Sequence, residues 1–141
     1  MGSRLESEWY QKCSRKRVMV EPNRILGKRI LLVEDDPQTR EAIKLLLTID
    51  RHQVVEASGG AEAFVLLSTQ PFDLVILDYF MPDMQGSDVA LRIKEIAPSL
   101  PILMVTAYLE KLTDSEKQVD AVMGKPFAIE ELRGAIASLV S

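Results

Sequence analysis

From residue 29 onward, short apolar runs alternate with segments whose apolar residues recur every three or four positions, and the alternation repeats five times. Such a rhythm builds a parallel sheet whose crossover connections are helices. The first run, Arg29–Val33 (RILLV), lacks the polar alternation of a strand with one wet face, so it is predicted to be covered on both sides. Asp36 and Pro37 then open a helix, because Asp is a good N-cap and Pro is tolerated at the first helical position. Ile43, Leu46 and Leu47 fall on one face of that helix, which should stop near Asp50. Further strands are expected at 52–57, 74–77, 102–105 and 121–123. A second helix is expected over 60–68 with Ala63, Phe64 and Leu67 inward, and a third from a Ser87 cap with Val89, Ile93 and Ile96 inward. A fourth, over 109–118, is short and polar, with Leu109 and Leu112 alone at helical spacing; the last places Ile129, Leu132, Ile136 and Leu139 on one face. The expected class is α/β, a doubly wound (βα)5 domain around a five-stranded parallel sheet, covering 28–141.

Residues 1–27 do not share this rhythm. Trp9, Tyr10, Val18 and Val20 sustain no period, and the segment reads as an extension or linker whose opening Met1-Gly2-Ser3 has the look of a vector remnant. Residues 1–28 carry a net charge of +4 and residues 29–141 a net −8. An acidic body argues against nucleic acid as a direct ligand, since neutralising phosphates takes clustered basic side chains. No apolar run approaches the roughly 20 residues of a membrane span, so a cytoplasmic protein is expected. With Cys13 as the sole cysteine, an internal disulfide and a two-thiolate zinc site are both excluded. His52, the sole histidine, reads as a solvated strand-edge residue, with no motif around it for triad-type hydrolysis.

Chemistry gathers where the strands end. In open parallel sheets ligands bind beyond the carboxyl ends of the strands. There the chain offers Glu34, Asp35 and Asp36 after the first strand, Asp78 after the third, Thr106 after the fourth and Lys125 after the fifth. Each has an ordinary reading: Asp36 as a helix cap, Asp78 as a turn residue before Met81-Pro82, Thr106 as a strand-end hydroxyl, Lys125-Pro126 as a corner. Their joint occurrence at four strand ends is the stronger signal. Carboxylates at ~4 Å repel by about 1 kcal/mol in water and about 4 kcal/mol at an effective dielectric of 20, so the cluster calls for a cation. Oxygen ligands without sulfur or imidazole suit magnesium or manganese. A metal, a hydroxyl and an ammonium around one carboxylate would offset the charge of a phosphoryl group in transfer.

These motifs resemble the receiver domain of two-component response regulators, the chemotaxis-type fold, over about residues 28–141. ILLVEDDPQTR is similar to the family's acidic first-strand motif, DLVILDYFMPDMQG to its phosphoacceptor motif, PILMVTA to its hydroxyl-bearing strand and GKPF to its lysine-proline corner. The resemblance implies a flavodoxin-like strand order 2-1-3-4-5 and a cis peptide before Pro126. It further implies that Asp78 accepts a phosphoryl group and that Asp35 and Asp78 hold Mg2+ directly, Glu34 through water and Phe80 by its backbone carbonyl. Thr106 and Lys125 would contact the phosphoryl oxygens. The partners implied are a histidine kinase or histidine phosphotransfer protein and a downstream protein or output domain, with room for a homodimer. Such a domain is a phosphoacceptor that assists its own phosphorylation and dephosphorylation rather than an enzyme acting on other substrates.

Two departures stand out. Val122 occupies the position where the family carries an aromatic switch residue, and the stretch from Thr106 to Lys125 is a few residues short. Signalling is therefore expected to run through Thr106 and residues 107–119, with Tyr108 as the mobile ring. A phosphatase of the haloacid dehalogenase type would want a second Asp where Phe80 stands, and a flavin-binding relative would want a Ser/Thr/Gly-rich phosphate loop where Glu34-Asp35-Asp36 stand. A receiver-like module that binds partners without phosphorylation is the remaining alternative; the complete set Glu34, Asp35, Asp78, Thr106 and Lys125 argues against it.

Overall fold

The computed structural model describes residues 24–112 and 119–140. In chain order the elements are β1 (Arg29–Val33), α1 (Pro37–Ile49), β2 (Gln53–Ala57), α2 (Gly60–Thr69), β3 (Leu74–Asp78), α3 (Gly86–Ile96), β4 (Ile102–Thr106), a 3-10 turn (Leu109–Lys111), β5 (Ala121–Gly124) and α4 (Ile129–Val140). The strands pair in parallel in the order β2-β1-β3-β4-β5, the doubly wound arrangement expected. Alternate residues of each strand feed two cores. Leu31, Val33, Val75, Leu77, Ile102 and Met104 pack with Ala63 of α2 and Val89 and Ile93 of α3. Ile30, Leu32, Leu74, Ile76, Leu103 and Val105 pack on the opposite face with Ile43 and Leu47 of α1 and Leu132 and Ile136 of α4. Two-sided burial explains why β1, β3 and β4 read as unbroken apolar runs.

Local signals set the helix ends. Asp36 caps α1 by accepting from Thr39 N at 3.0 Å, with Pro37 in the first turn. Several expectations need correction. The helix α3 starts at Gly86 behind a Gln85 N-cap, not at Ser87, and Ile96 at its end is 49% exposed rather than inward. The segment expected as a helix over 109–118 gives only the 3-10 turn before Leu112 turns extended, while 113–118 lie outside the described residues. His52 is buried, not solvated: its Nδ1 accepts from Lys28 N at 3.0 Å, and the burial pushes its pKa down.

The stretch just ahead of β1 and the helix α4 are joined by one buried carboxylate. Asp50, the C-cap of α1, is 3% exposed and accepts from Arg24 Nε at 2.9 Å and from Arg133 Nε and Nη2 on α4 at 2.9 and 3.0 Å. Its backbone carbonyl also accepts from Gly27 N at 3.1 Å. Burial alone would raise the Asp50 pKa, but the guanidinium groups of Arg133 and Arg24 outweigh it and hold the carboxyl below its ordinary value. A depressed folded-state pKa means that this contribution is complete above the ordinary carboxylate range and is lost as the pH falls through the folded value. Asp50→Ala is expected to cost about 2–3 kcal/mol in urea denaturation at neutral pH, less than a fully buried pair would, because Arg24 keeps 34% of its side chain in solvent. The deficit relative to the parent should shrink in acid; a loss independent of pH would contradict this account.

Candidate functional site

The site forms at the carboxyl edge of the sheet, where the polar residues excluded from the strand interiors collect. Glu34 directly follows β1 and Asp78 is the last residue of β3; they are 2% and 6% exposed. Asp35 is half-buried beside them. One carboxylate oxygen from each of Glu34, Asp35 and Asp78 lies within 4.8 Å of the other two, a grouping that could hold a metal ion. From the β5–α4 connection, Lys125 Nζ donates to Glu34 Oε1 at 2.8 Å and stands 3.1 Å from Asp78 Oδ1. The Lys125–Pro126 peptide is cis.

Thr106 ends β4, one step beyond the residue paired with Asp78, and is fully buried. Its hydroxyl oxygen accepts from Tyr108 N at 3.0 Å, and its backbone carbonyl accepts from Lys125 N at 2.8 Å. Phe80 lies two residues past Asp78, its half-exposed ring set edge-on to Tyr79 at 4.5 Å and to Tyr108 at 5.2 Å. Val122, in the middle of β5, is partly buried against the α2–α3 core. Asp36 faces away into its capping role, although its N–H donates to Glu34 Oε2 at 3.3 Å.

Burial raises the pKa of Glu34, opposed by the Lys125 hydrogen bond and reinforced by the charge of Asp78. Burial likewise raises that of Asp78 against the pull of Lys125. For Lys125, burial would favour the neutral amine, yet Glu34 and Asp78 overcome it and the pKa rises. The ammonium therefore stays charged and is the counter-ion of a pair of carboxylates that repel each other. One lysine cannot balance Glu34, Asp35 and Asp78 together, so the donor set fits a hard divalent cation with oxygen ligands and retained water.

Two features escaped the sequence reading. Arg40 Nη1 donates to the Glu34 carbonyl at 2.8 Å while its Nε pairs with Glu56 at 3.3 Å, fixing the turn that carries the acidic pair. A groove of about 500 Å3 also opens between α1 and the cis-proline corner, lined by Thr39, Ala42, Ile43, Leu46, Lys125 and Phe127 among others. Leu46 sits at helical spacing with the core residues Ile43 and Leu47, yet in the structure it is only half-buried, on the side that lines this groove.

The family described as response regulator receiver domain matches residues 30–137. The chain belongs to that family. Among its relatives, the response regulator MprA of Mycobacterium sp. (strain KMS) is 34% identical over 115 residues, 79% of this chain and 50% of that protein, and its counterpart in Mycobacterium leprae is 33% identical over the same span. The receiver domain thus spans about half the length of the curated relatives it matches. Among solved structures, the response regulator TrrA of Thermotoga maritima with Mg2+-BeF is 34% identical with a TM-score of 0.75, covering 79% of this chain and 98% of that one. TrrA in complex with the histidine kinase ThkA gives the same identity and score, covering 81% and 99%. A receiver domain within a histidine kinase of Syntrophus aciditrophicus is 27% identical at a TM-score of 0.72, covering 81% and 90%.

Removing the ammonium should expose the repulsion it offsets. Lys125→Met is expected to lower metal-free stability by roughly 2 kcal/mol. Millimolar Mg2+ should raise the melting temperature of the variant by more than it raises that of the parent. Equal metal-induced shifts in both proteins would mean that lysine and metal do not share the same charge.

Proposed function

We propose that this receiver domain takes a phosphoryl group onto Asp78 from a phosphohistidine donor, in a magnesium-dependent reaction, and passes the change to a partner or output domain. The observation that carries the reading is the buried Asp78 carboxylate at the end of β3, with Lys125 Nζ at 3.1 Å and one oxygen each of Glu34 and Asp35 within 4.8 Å. Support also comes from the Mg2+-BeF complex of TrrA and its complex with a histidine kinase, both properties of that protein.

An Asp78 carboxylate oxygen forms the new O–P bond as the donor's P–N bond breaks, and the imidazole leaves with the electron pair. Asp35, Asp78 and the Phe80 carbonyl would hold Mg2+, with Glu34 acting through water, and the ion would offset charge on the phosphoryl oxygens. Lys125 already bridges Glu34 and Asp78, so its ammonium has a short path to a phosphoryl oxygen. Thr106 is prepared as a donor: because its oxygen accepts from Tyr108 N, its O–H hydrogen is left to point elsewhere. Drawing Thr106 toward the new oxygens pulls on that bond and so on the segment that begins at Ala107. Switching then proceeds through Thr106 and Tyr108, since Val122 offers no ring to turn. The domain assists its own phosphorylation and later hydrolysis, and acts on no other substrate.

The groove beside Lys125 gives the donor a place to seat. Its apolar lining of Ala42, Ile43, Leu46 and Phe127 leads to the ammonium, which suits a helix carrying the phosphohistidine.

Acetyl phosphate with Mg2+ should add one phosphoryl group, located at Asp78 by mass spectrometry after borohydride trapping, and none to Asp78→Asn. Label on another aspartate of that variant would refute the assignment. Leu46→Asp should slow transfer from a phosphohistidine protein about tenfold, the equivalent of one 1.4 kcal/mol contact, while labelling by acetyl phosphate stays unchanged. Equal losses with both donors would place the effect on the chemistry instead of on docking.

A further inference from the structure

Residues 79–85 connect the phosphoacceptor strand to α3, and both ends of this loop are tightly built. Gly86 N donates to the Tyr79 carbonyl at 2.7 Å, and a Cβ on Gly86 would come within 2.6 Å of the Asp78 carbonyl oxygen. Tyr79 and Met81 are buried in the α2–α3 core. The apex is fastened differently. Asp83 Oδ2 accepts from Gly60 N at 3.0 Å and so caps α2 from another part of the chain. Among the described residues this is the only hydrogen bond that 80–84 make to another element.

The two glycines that open α2 are shaped to this contact. Gly59 has φ near −175°, extended backbone that any residue adopts, and it provides no side-chain cap of its own. What excludes a side chain there is Asp83: a Cβ on Gly59 would lie 2.7 Å from both carboxylate oxygens. A Cβ on Gly60 would lie 2.9 Å from Val89 Cγ2 and 3.3 Å from Met84 Sδ, so the loop also presses on the next residue. Capping residues of this kind offset an unsatisfied helical N–H and favour negative charge at the helix start.

We propose that Asp83 is a positioning residue for the cation site. By clamping the loop apex to α2 it fixes the stretch that begins at Asp78 and carries the Phe80 carbonyl, and so sets the affinity of the acidic cluster for a divalent cation. The inference rests on the reading of Glu34, Asp35 and Asp78 as a magnesium site. Asp83 touches no reacting atom; it acts through the backbone three residues away.

The test is calorimetric titration with Mg2+, with Mn2+ followed by electron paramagnetic resonance as a second readout. Asp83→Ala should bind about tenfold more weakly, as is usual when a supporting partner of a metal ligand is lost. Asp83→Asn, which keeps an acceptor oxygen, should stay close to the parent. Gly59→Ala, which drives a methyl group into the carboxylate, should match Asp83→Ala, and combining the two should add little. Glu62→Ala, which removes a first-turn acid of α2 whose partner is Ser58, should leave affinity unchanged. Parent-like affinity in Asp83→Ala, with faster exchange of the Gly60 amide in the same sample, would reduce the cap to a structural role and overturn the proposal. A parent chain that bound neither ion would overturn the magnesium reading itself, and this proposal with it.

Discussion

Covering a parallel sheet on both faces leaves no place inside it for a polar side chain. The strands β1, β3 and β4 carry apolar residues at nearly every position, and the only ionisable or hydroxyl groups among their buried residues are Asp78 and Thr106, each the last of its strand. Polar groups displaced from the interior therefore accumulate along one edge, where the β1–α1 connection brings Glu34 and Asp35 beside them and the β5–α4 connection brings Lys125. The site is a consequence of how the core is closed. Its carboxylates are desolvated by the same packing that stabilises the sheet, which is why Lys125 must accompany them.

That lysine acts as a cation on a tether. It neutralises part of the cluster without dissociating, through its pairing with both Glu34 and Asp78. A tethered charge of this kind can be redirected at little cost, because moving it from one acceptor to another exchanges contacts without exposing the ammonium. Thr106 has a comparable economy: its oxygen accepts from Tyr108 N, and among the described residues its hydroxyl donates to no acceptor.

What could be read from the sequence was whatever depends on neighbours along the chain. The apolar run of β1, the Asp36-Pro37 start of α1 and the helical spacing of Leu132 and Ile136 are local patterns, and the structure keeps them. The strand-end residues Glu34, Asp35, Asp78 and Lys125 could be gathered in advance because the doubly wound topology fixes where strand ends go. Contacts made across the fold were hidden. His52 looked exposed at a strand edge, and only the approach of Lys28 N makes it a buried acceptor. Asp83 lay outside the apparent chemistry until α2 was placed against it, and Asp50 read as a helix stop, with no sign that Arg24 and Arg133 converge on it. Ser87 seemed the better cap by residue type, but the approach of Gly86 to the Asp78 and Tyr79 backbone starts the helix earlier.

The knot around Asp50 also bears on how a signal could leave the domain. Each helix returns antiparallel to the strands, so Arg24 and the end of α4 lie toward the amino edge of the sheet, while Asp78 and Thr106 lie at the carboxyl edge. A five-residue strand spans about 17 Å, and the Debye length at physiological ionic strength is about 8 Å. A domain attached at either end would stand roughly two screening lengths from any charge added at Asp78 and would feel little of its field. A change reaching such a domain would have to come as displacement of packed elements, and Asp50, by accepting from both Arg24 and Arg133, ties α4 to the segment ahead of β1 at that far edge.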